Sequence, residues 1–296
     1  MIIPHLGEIL ALICAMVWGL AVILFKKSGE VVHPLALNLF KVVLGVVLLL
    51  PTTWIAGQFW PSNASCSDIY LLLLSGALAI GISDTLFFMA LNRLGAGLTA
   101  IVDCLYSPSV ITLSVLFLGE SMRWLQLAGA LIIVSAVFIA SFEKPHHDLS
   151  HTQKWQGILY GALAMIFVAV GVVIAKPLLT NLPVLWVTEV RMLGGLIVIL
   201  LTFFVFPHRR AILNTLITSH HRGYTFAGSF FGAYVSTVLW LGGMKYTQAS
   251  TAAALNQTSN VFVFLMAWII LKEPINLKRA MGITLAVCGA YLVMFG

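Results

Sequence analysis

Charged residues in this chain are spaced at intervals that match a lipid bilayer. No Asp, Glu, Lys or Arg occurs from Ile9 to Phe25, Val42 to Ser67, Cys104 to Gly119, Trp124 to Phe142, Trp155 to Ala175, Met192 to His208, Gly223 to Met244, Tyr246 to Leu271 or Ala280 to Gly296. A helix rises about 1.5 Å per residue, so about 20 apolar residues cross a hydrocarbon core roughly 30 Å thick. Only 9% of the 296 residues are charged and 60% are hydrophobic, against about 25% charged in a soluble domain. A water-facing surface cannot be built from this chain. An outer-membrane barrel would need segments of about 10 residues alternating polar and apolar, and the sequence does not alternate. The expected fold class is an all-α polytopic membrane protein.

Ten crossings fit the pattern, at residues 6–26, 33–52, 69–91, 97–118, 124–142, 155–176, 182–206, 223–244, 250–271 and 277–295. The polar run Glu143–Lys154 divides them five and five. The expected organisation is one five-helix unit over residues 1–142, a polar linker over 143–154 and a second five-helix unit over 155–296. The first helix has no basic leader and runs straight into Lys26 and Lys27 without a small-residue cleavage site, so it reads as a span rather than a cleaved signal.

The two halves repeat. At an offset of 150, Gly157 falls on Gly7, Lys176 on Lys26 and Arg191 on Lys41. From the third helix the offset is 153: Ser236 falls on Ser83, Asn256 on Asp103, Asn260 on Ser107, Leu271-Lys-Glu273 on Leu118-Gly-Glu120 and Gly282 on Gly129. Five helices is an odd number and the linker does not span. The second unit must therefore enter the membrane from the opposite face, which gives ten helices as two inverted five-helix repeats. That arrangement permits two near-equivalent packings around a central site.

At this point the chain resembles the drug/metabolite transporter superfamily, in the form built from two EamA domains. The resemblance rests on Phe117-Leu-Gly-Glu-Ser121 and Ile270-Leu-Lys-Glu-Pro274 closing helices four and nine, and on the basic residues Lys41 and Arg191 in helices two and seven. It rests also on Ala90-Leu-Asn-Arg-Leu-Gly95 and Gly243-Met-Lys-Tyr-Thr-Gln248 closing helices three and eight, running into Thr99 and Thr251-Ala-Ala-Ala254. The resemblance implies a secondary transporter, often an exporter of amino acids or other small metabolites, in the inner (plasma) membrane. It does not imply a substrate. Lys41 stands where arginine is commoner in the family, and Asp103 has only Asn256 as its mate.

Polar groups at membrane depth are the candidate site, because a charge there costs about 3 kcal/mol on insertion scales and roughly 10 or more in simulations. Asp103 and Ser107 share a face of helix four at i,i+4 beside Tyr106, and Pro108 frees the carbonyl of Cys104 near them. Asn256 and Asn260 stand at the mirrored depth in helix nine. Together these residues read either as lining a hydrogen-bonding cavity or as interhelical glue. Asp84, beside Ser83, is a proton carrier if no cation pairs with it. Lys41 and Arg191 are either its partners or clamps for an anionic group on a substrate. For Asp84 and Asp103, proton coupling, a structural or substrate-orienting salt bridge, and a water-exposed position all remain open. Ser236 mirrors Ser83, and Trp18 faces either the cavity or the packed interior. Glu189 and Arg191 diverge by about 200° on one helix and need separate partners. Glu120 and Glu273 read as caps of the helices that follow them, as partners of Arg123 and Lys278, or as gate residues.

Other classes fit less well. No Gly-x-x-x-x-Gly-Lys-Ser/Thr run supports an ATP-driven pump. The histidines at 146, 147, 151, 220 and 221 lie in polar connections, and Cys14, Cys66, Cys104 and Cys288 make no paired motif. The sequence therefore predicts no enzyme activity, cofactor or metal. The expected partners are a small molecule, the lipid bilayer and protons as a coupling ion. The net charge of +6 is spread over loops and does not indicate nucleic acid. A channel, or a non-transport membrane protein such as a lipid-modifying enzyme, is the alternative. Gly157-Ile-Leu-Tyr-Gly161 and Gly228-Ser-Phe-Phe-Gly232 fit the Gly-x-x-x-Gly contact motif, and monomer and homodimer both remain compatible. Odd-numbered loops carry eleven Lys and Arg against three in the even loops, which places the termini outside; the resemblance implies cytoplasmic termini.

Overall fold

The structure is a computed structural model that describes residues 5–119, 123–141, 151–205, 208–273 and 276–295. Every regular element among the described residues is helical. Among the described residues, six segments are long and apolar enough to cross a membrane: Leu6–Gly29, Pro34–Ile55, Cys66–Asp103, Thr152–Asn181, Val184–Val205 and Arg222–Tyr246. Helices five (Trp124–Ser141) and ten (Leu277–Phe295) pack on each other, while helices four and nine are each built in two pieces. Outward faces are apolar: Trp54, Val205 and Ile269 are 72%, 83% and 66% exposed, as lipid contact requires of a multi-pass membrane protein. Helix six starts earlier than the hydropathy suggests, at His151, taking in the last four residues of the expected linker. A short surface helix, Arg209–Ile217, lies in the connection before helix eight.

The repeat governs the packing. Helix one packs against helices eight and nine of the second unit, and helix six against helices three and four of the first. Helices two and seven cross in the middle. Gly76 and Gly194 permit the backbones of helices three and seven to touch: a Cβ on Gly76 would overlap the Arg191 carbonyl, and one on Gly194 the backbone of Leu73. Close backbone approach through small residues is how membrane helices gain van der Waals contact without a hydrophobic driving force.

Three departures from regular helix shape the centre. First, helix three widens into a π turn at Ala77–Ile82 and helix eight into one at Phe230–Val235. The two lie at the repeat offset of 153. A π turn adds a residue to one turn and leaves carbonyls underused. Asn38 on helix two takes two of them, donating to Ile80 O at 3.0 Å and Gly81 O at 3.3 Å. In the second unit Ser236 and Thr237 donate to Gly232 O at 2.6 and 3.1 Å.

Second, helix four breaks at Cys104–Leu105 between the segment ending at Asp103 and Tyr106–Leu118. Pro108 has no amide to give the Cys104 carbonyl, and its ring crowds that group. Helix nine breaks at the mirrored place, between Ala249–Asn256 and Ser259–Leu271, without a proline. There the amides of Thr258, Asn260 and Val261 bond three residues back. Third, helix three runs into helix four with no loop. The chain turns at Gly95, whose φ of 79° and ψ of 170° suit glycine alone.

Candidate functional site

The central cavity has about 110 Å³ open to the centre of a water molecule, room for a small molecule rather than one water. Its lining follows the internal repeat. Trp18 faces Val168 across the two units, Lys41 answers Arg191, and Ala79 answers Gly232; Ser83 pairs with Ser236, Asp84 with Thr237, Phe87 with Trp240 and Asp103 with Asn256. Each pair is one position read at the offsets of 150 or 153, so the cavity sits on the pseudo-two-fold axis. Cys14, Ile80, Tyr106, Met165 and Met192 complete the wall.

The wall includes nine of the candidates read from sequence: Trp18, Lys41, Ser83, Asp84, Asp103, Tyr106, Arg191, Ser236 and Asn256. Ser107 and Asn260 lie behind it. The Ser107 hydroxyl is buried with no partner among the described residues. Asn260 donates to Cys104 Sγ at 3.3 Å and to the Gln257 side chain, and Gln257 in turn donates to the carbonyls of Asp103 and Cys104, both at 3.3 Å. These amides staple the break in helix four to the break in helix nine.

Polar groups on the wall divide into committed and uncommitted. Ser83 donates to Ala164 O at 2.8 Å and Ser236 to Gly232 O, so both hydroxyls hold backbone. Lys41 is buried and forms an ion pair with Asp84, its ammonium 5.5 Å from the Phe88 ring centroid. Arg191 is 1% exposed and lies 5.4 Å over the Trp240 ring, and all three of its guanidinium nitrogens lack a partner among the described residues. Asn256 Oδ1 is likewise uncommitted among the described residues, while Tyr106 lies against Trp240, their ring centroids 6.4 Å apart. The Trp18 and Phe87 rings lie 5.9 Å apart at a 40° tilt, giving the cavity an aromatic side.

Two acids sit elsewhere. Glu273 caps the start of helix four, at Ala96 and Gly97, from the other unit, a contact that its place in the sequence did not suggest; Glu120 lies outside the described residues. Glu189 is not on the cavity wall, and both its carboxylate oxygens are buried and unpartnered among the described residues.

Sequence reading missed Asn38, Thr237, Phe87 and Trp240. The offset that carries Ser83 onto Ser236 also carries Asp84 onto Thr237 and Phe87 onto Trp240, so the last three were within reach of the repeat. No group of three or more His, Cys, Asp or Glu able to hold a metal occurs among the described residues.

Lysines close both ends of the bundle. Lys26 donates to Leu91 O at 3.3 Å and Asn92 O at 3.5 Å at the end of helix three. Its repeat mate Lys176 donates to Met244 O and to Thr247 O at 2.7 Å at the end of helix eight. A cation suits the carbonyl end of a helix, and Leu91 and Met244 are themselves repeat mates.

Similar proteins agree with this architecture. An uncharacterized transporter of Archaeoglobus fulgidus is 24% identical over 287 residues, covering 97% of each chain. One of Clostridium kluyveri is 21% identical over 289 residues, covering 97% of this chain and 92% of its own. A solved crystal structure superposes with a TM-score of 0.71 over 98% of this chain and 96% of that one, at 16% identity, which shows a shared fold. The EamA-like transporter family matches residues 5–142 and again 155–295. The chain, with two copies of that domain, belongs to the EamA-like transporter family.

Proposed function

We propose that this membrane transporter is a secondary carrier of the inner (plasma) membrane that moves a small amphipathic metabolite by alternating access, most simply as an exporter. The observation that carries the reading is the cavity on the pseudo-two-fold axis, walled by repeat-related pairs and by the broken helices four and nine. Discontinuous helices that meet at the centre of inverted repeats leave backbone and side-chain groups available to a substrate, while either unit can rock against the other. The wall is mixed: Trp18, Phe87 and Trp240 offer apolar contact, and Arg191, Tyr106, Asp103 and Asn256 offer polar contact.

Lys41 holds Asp84 in an ion pair, so we read Asp84 as orienting the site. We assign proton exchange to Asp103, a reading supported by its place on the cavity wall with no cation in salt-bridge reach among the described residues. The experiment compares metabolites in cells and medium for the intact protein, the Asp103→Asn form and cells lacking the protein. A compound depleted inside and enriched outside only with the intact protein supports export. In proteoliposomes loaded with that compound, D103N should exchange it across the membrane yet lose its response to an imposed pH gradient, while D84N keeps that response. No difference among the three cell lines, with insertion confirmed, would overturn the carrier reading.

A further inference from the structure

The repeat lays down one ion pair twice and completes it once. In the first unit, Lys41 on helix two pairs with Asp84 on helix three. The same two positions in the second unit are Arg191 on helix seven and Thr237 on helix eight, so the cation is retained and the acid is not. Thr237 spends its hydroxyl on Gly232 O. Arg191 is thus a buried cation on the cavity wall whose symmetry-expected carboxylate has been removed.

A buried guanidinium with no hydrogen-bond partner is costly, because an uncompensated buried charge loses several kcal/mol of hydration. Its contact with Trp240 offsets only part of that, since a cation over an aromatic ring contributes roughly 0.5–2 kcal/mol. The planar fork of arginine matches a carboxylate with two parallel hydrogen bonds, and removing both from water makes each stronger. Asp84 lines the same cavity as Arg191, but its hydrogen bond goes to Lys41, leaving this cluster of two cations and one anion one negative charge short.

We infer that the carrier recognises its substrate through an anionic headgroup, a carboxylate in the simplest case, held by Arg191 over Trp240 with the apolar body against Trp18 and Phe87. The inference names the substrate class within the carrier reading and rests on it. Arg191 is then the specificity-determining residue, and the missing acid at position 237 is what keeps it open to the substrate.

The test uses the purified intact protein in detergent and measures binding of acetate, hexanoate and 3-phenylpropionate, each against its primary amide of near-identical shape. At least one acid should bind about tenfold or more tightly than its amide. Arg191→Gln should erase that preference, and Arg191→Lys should weaken it by removing the bidentate fit. Thr237→Asp rebuilds the pair found in the first unit; it should fold, pair with Arg191 and exclude the acids without touching Lys41 or Asp84. If no acid is preferred over its amide, or if R191Q or T237D keeps the preference, the anion site is wrong. Export of a metabolite by cells alongside no acid preference would sink this inference and leave the carrier standing. Arg191-dependent binding with no movement of any bound acid in proteoliposomes would sink the carrier and leave the anion site.

Discussion

The carboxylate of Glu273 accepts the backbone amide of Ala96 at 2.7 Å, and its second oxygen accepts that of Gly97 at 3.0 Å. The first piece of helix four therefore starts on a cap supplied by the end of helix nine, from the other unit. Gly95 makes the contact geometrically open, because a Cβ there would lie 2.9 Å from the same carboxylate. One turn earlier, Lys26 holds the last carbonyls of helix three. An acid on the amide end and a lysine on the carbonyl end each suit the local helix dipole. The junction of helices three and four is thus clamped from outside its own sequence.

Replacing Glu273 with Ala should cost about 0.5–2 kcal/mol, the usual range for losing a helix N-cap. Glu273→Gln keeps one acceptor oxygen and should recover part of that. Thermal unfolding in detergent gives the ranking, and hydrogen exchange at the amides of Ala96 and Gly97 localises it. Unchanged exchange there in E273A would show that the cap does not hold the junction.

Asp84 and Lys41 make a second prediction. Removing one member of a buried pair strands the other, at about 3–5 kcal/mol, while replacing both with apolar residues of similar size is often neutral. Lys41→Met and Asp84→Leu should each lower stability strongly, and the double variant should recover most of the loss. The coupling energy from the four unfolding midpoints is the measurement. Additive losses would mean that the two residues do not act as a pair.

Much of this was legible before any coordinates because the relevant signals are long-range in period. Charge-free runs report spans directly, the match of Arg191 with Lys41 reports the duplication, and the odd number of helices per unit reports the inversion. Pro108 announced the weak carbonyl at Cys104, and helix four does break there. The mirrored break at Gln257–Thr258 was silent, since it comes from hydrogen bonding and has no proline. The π turns were silent too: Ala-Leu-Ala-Ile-Gly-Ile and Phe-Phe-Gly-Ala-Tyr-Val both read as plain apolar helix, and hydropathy does not distinguish a bond to i+4 from one to i+5. The choice between Lys41 as a partner of Asp84 and as a substrate clamp also needed geometry. Both readings are chemically sound, and only the placement of helix two against helix three decides.

The crossing of helices three and seven makes a third prediction. Gly76→Ala puts a methyl into the carbonyl of Arg191, where the neighbour is backbone and cannot rotate away. Overpacking of this kind costs about 1–3 kcal/mol, and more where the backbone is fixed. Since the displaced atom belongs to Arg191, G76A should also shift the cavity and reduce transport beyond its loss of folded protein. Gly223, with nothing near its added methyl, is the control: Gly223→Ala should be neutral or slightly stabilising. Transport per folded molecule equal in G76A and G223A would show that the contact does not position Arg191.

The last prediction concerns pH. His33 lies outside the membrane spans, at the N-cap of helix two, where its Nδ1 accepts the amide of Leu35 at 3.2 Å. Partial burial lowers its pKa below the usual 6.5. Protonation would cost hydration and also destroy the acceptor, since an imidazolium has no lone pair at Nδ1. The unfolded chain titrates at its ordinary value and the folded one lower. Below that ordinary value the unfolded state binds more protons, so stability rises with pH through that range. The contribution is fully present above the unfolded pKa and is lost as pH falls through it toward the folded pKa. Unfolding midpoints taken from about pH 8 down to about pH 5 should fall on the acid side. In His33→Asn, an amide oxygen caps the helix without titrating, so the curve should be flatter. A curve of the same shape in both proteins would place the acid sensitivity elsewhere in the molecule.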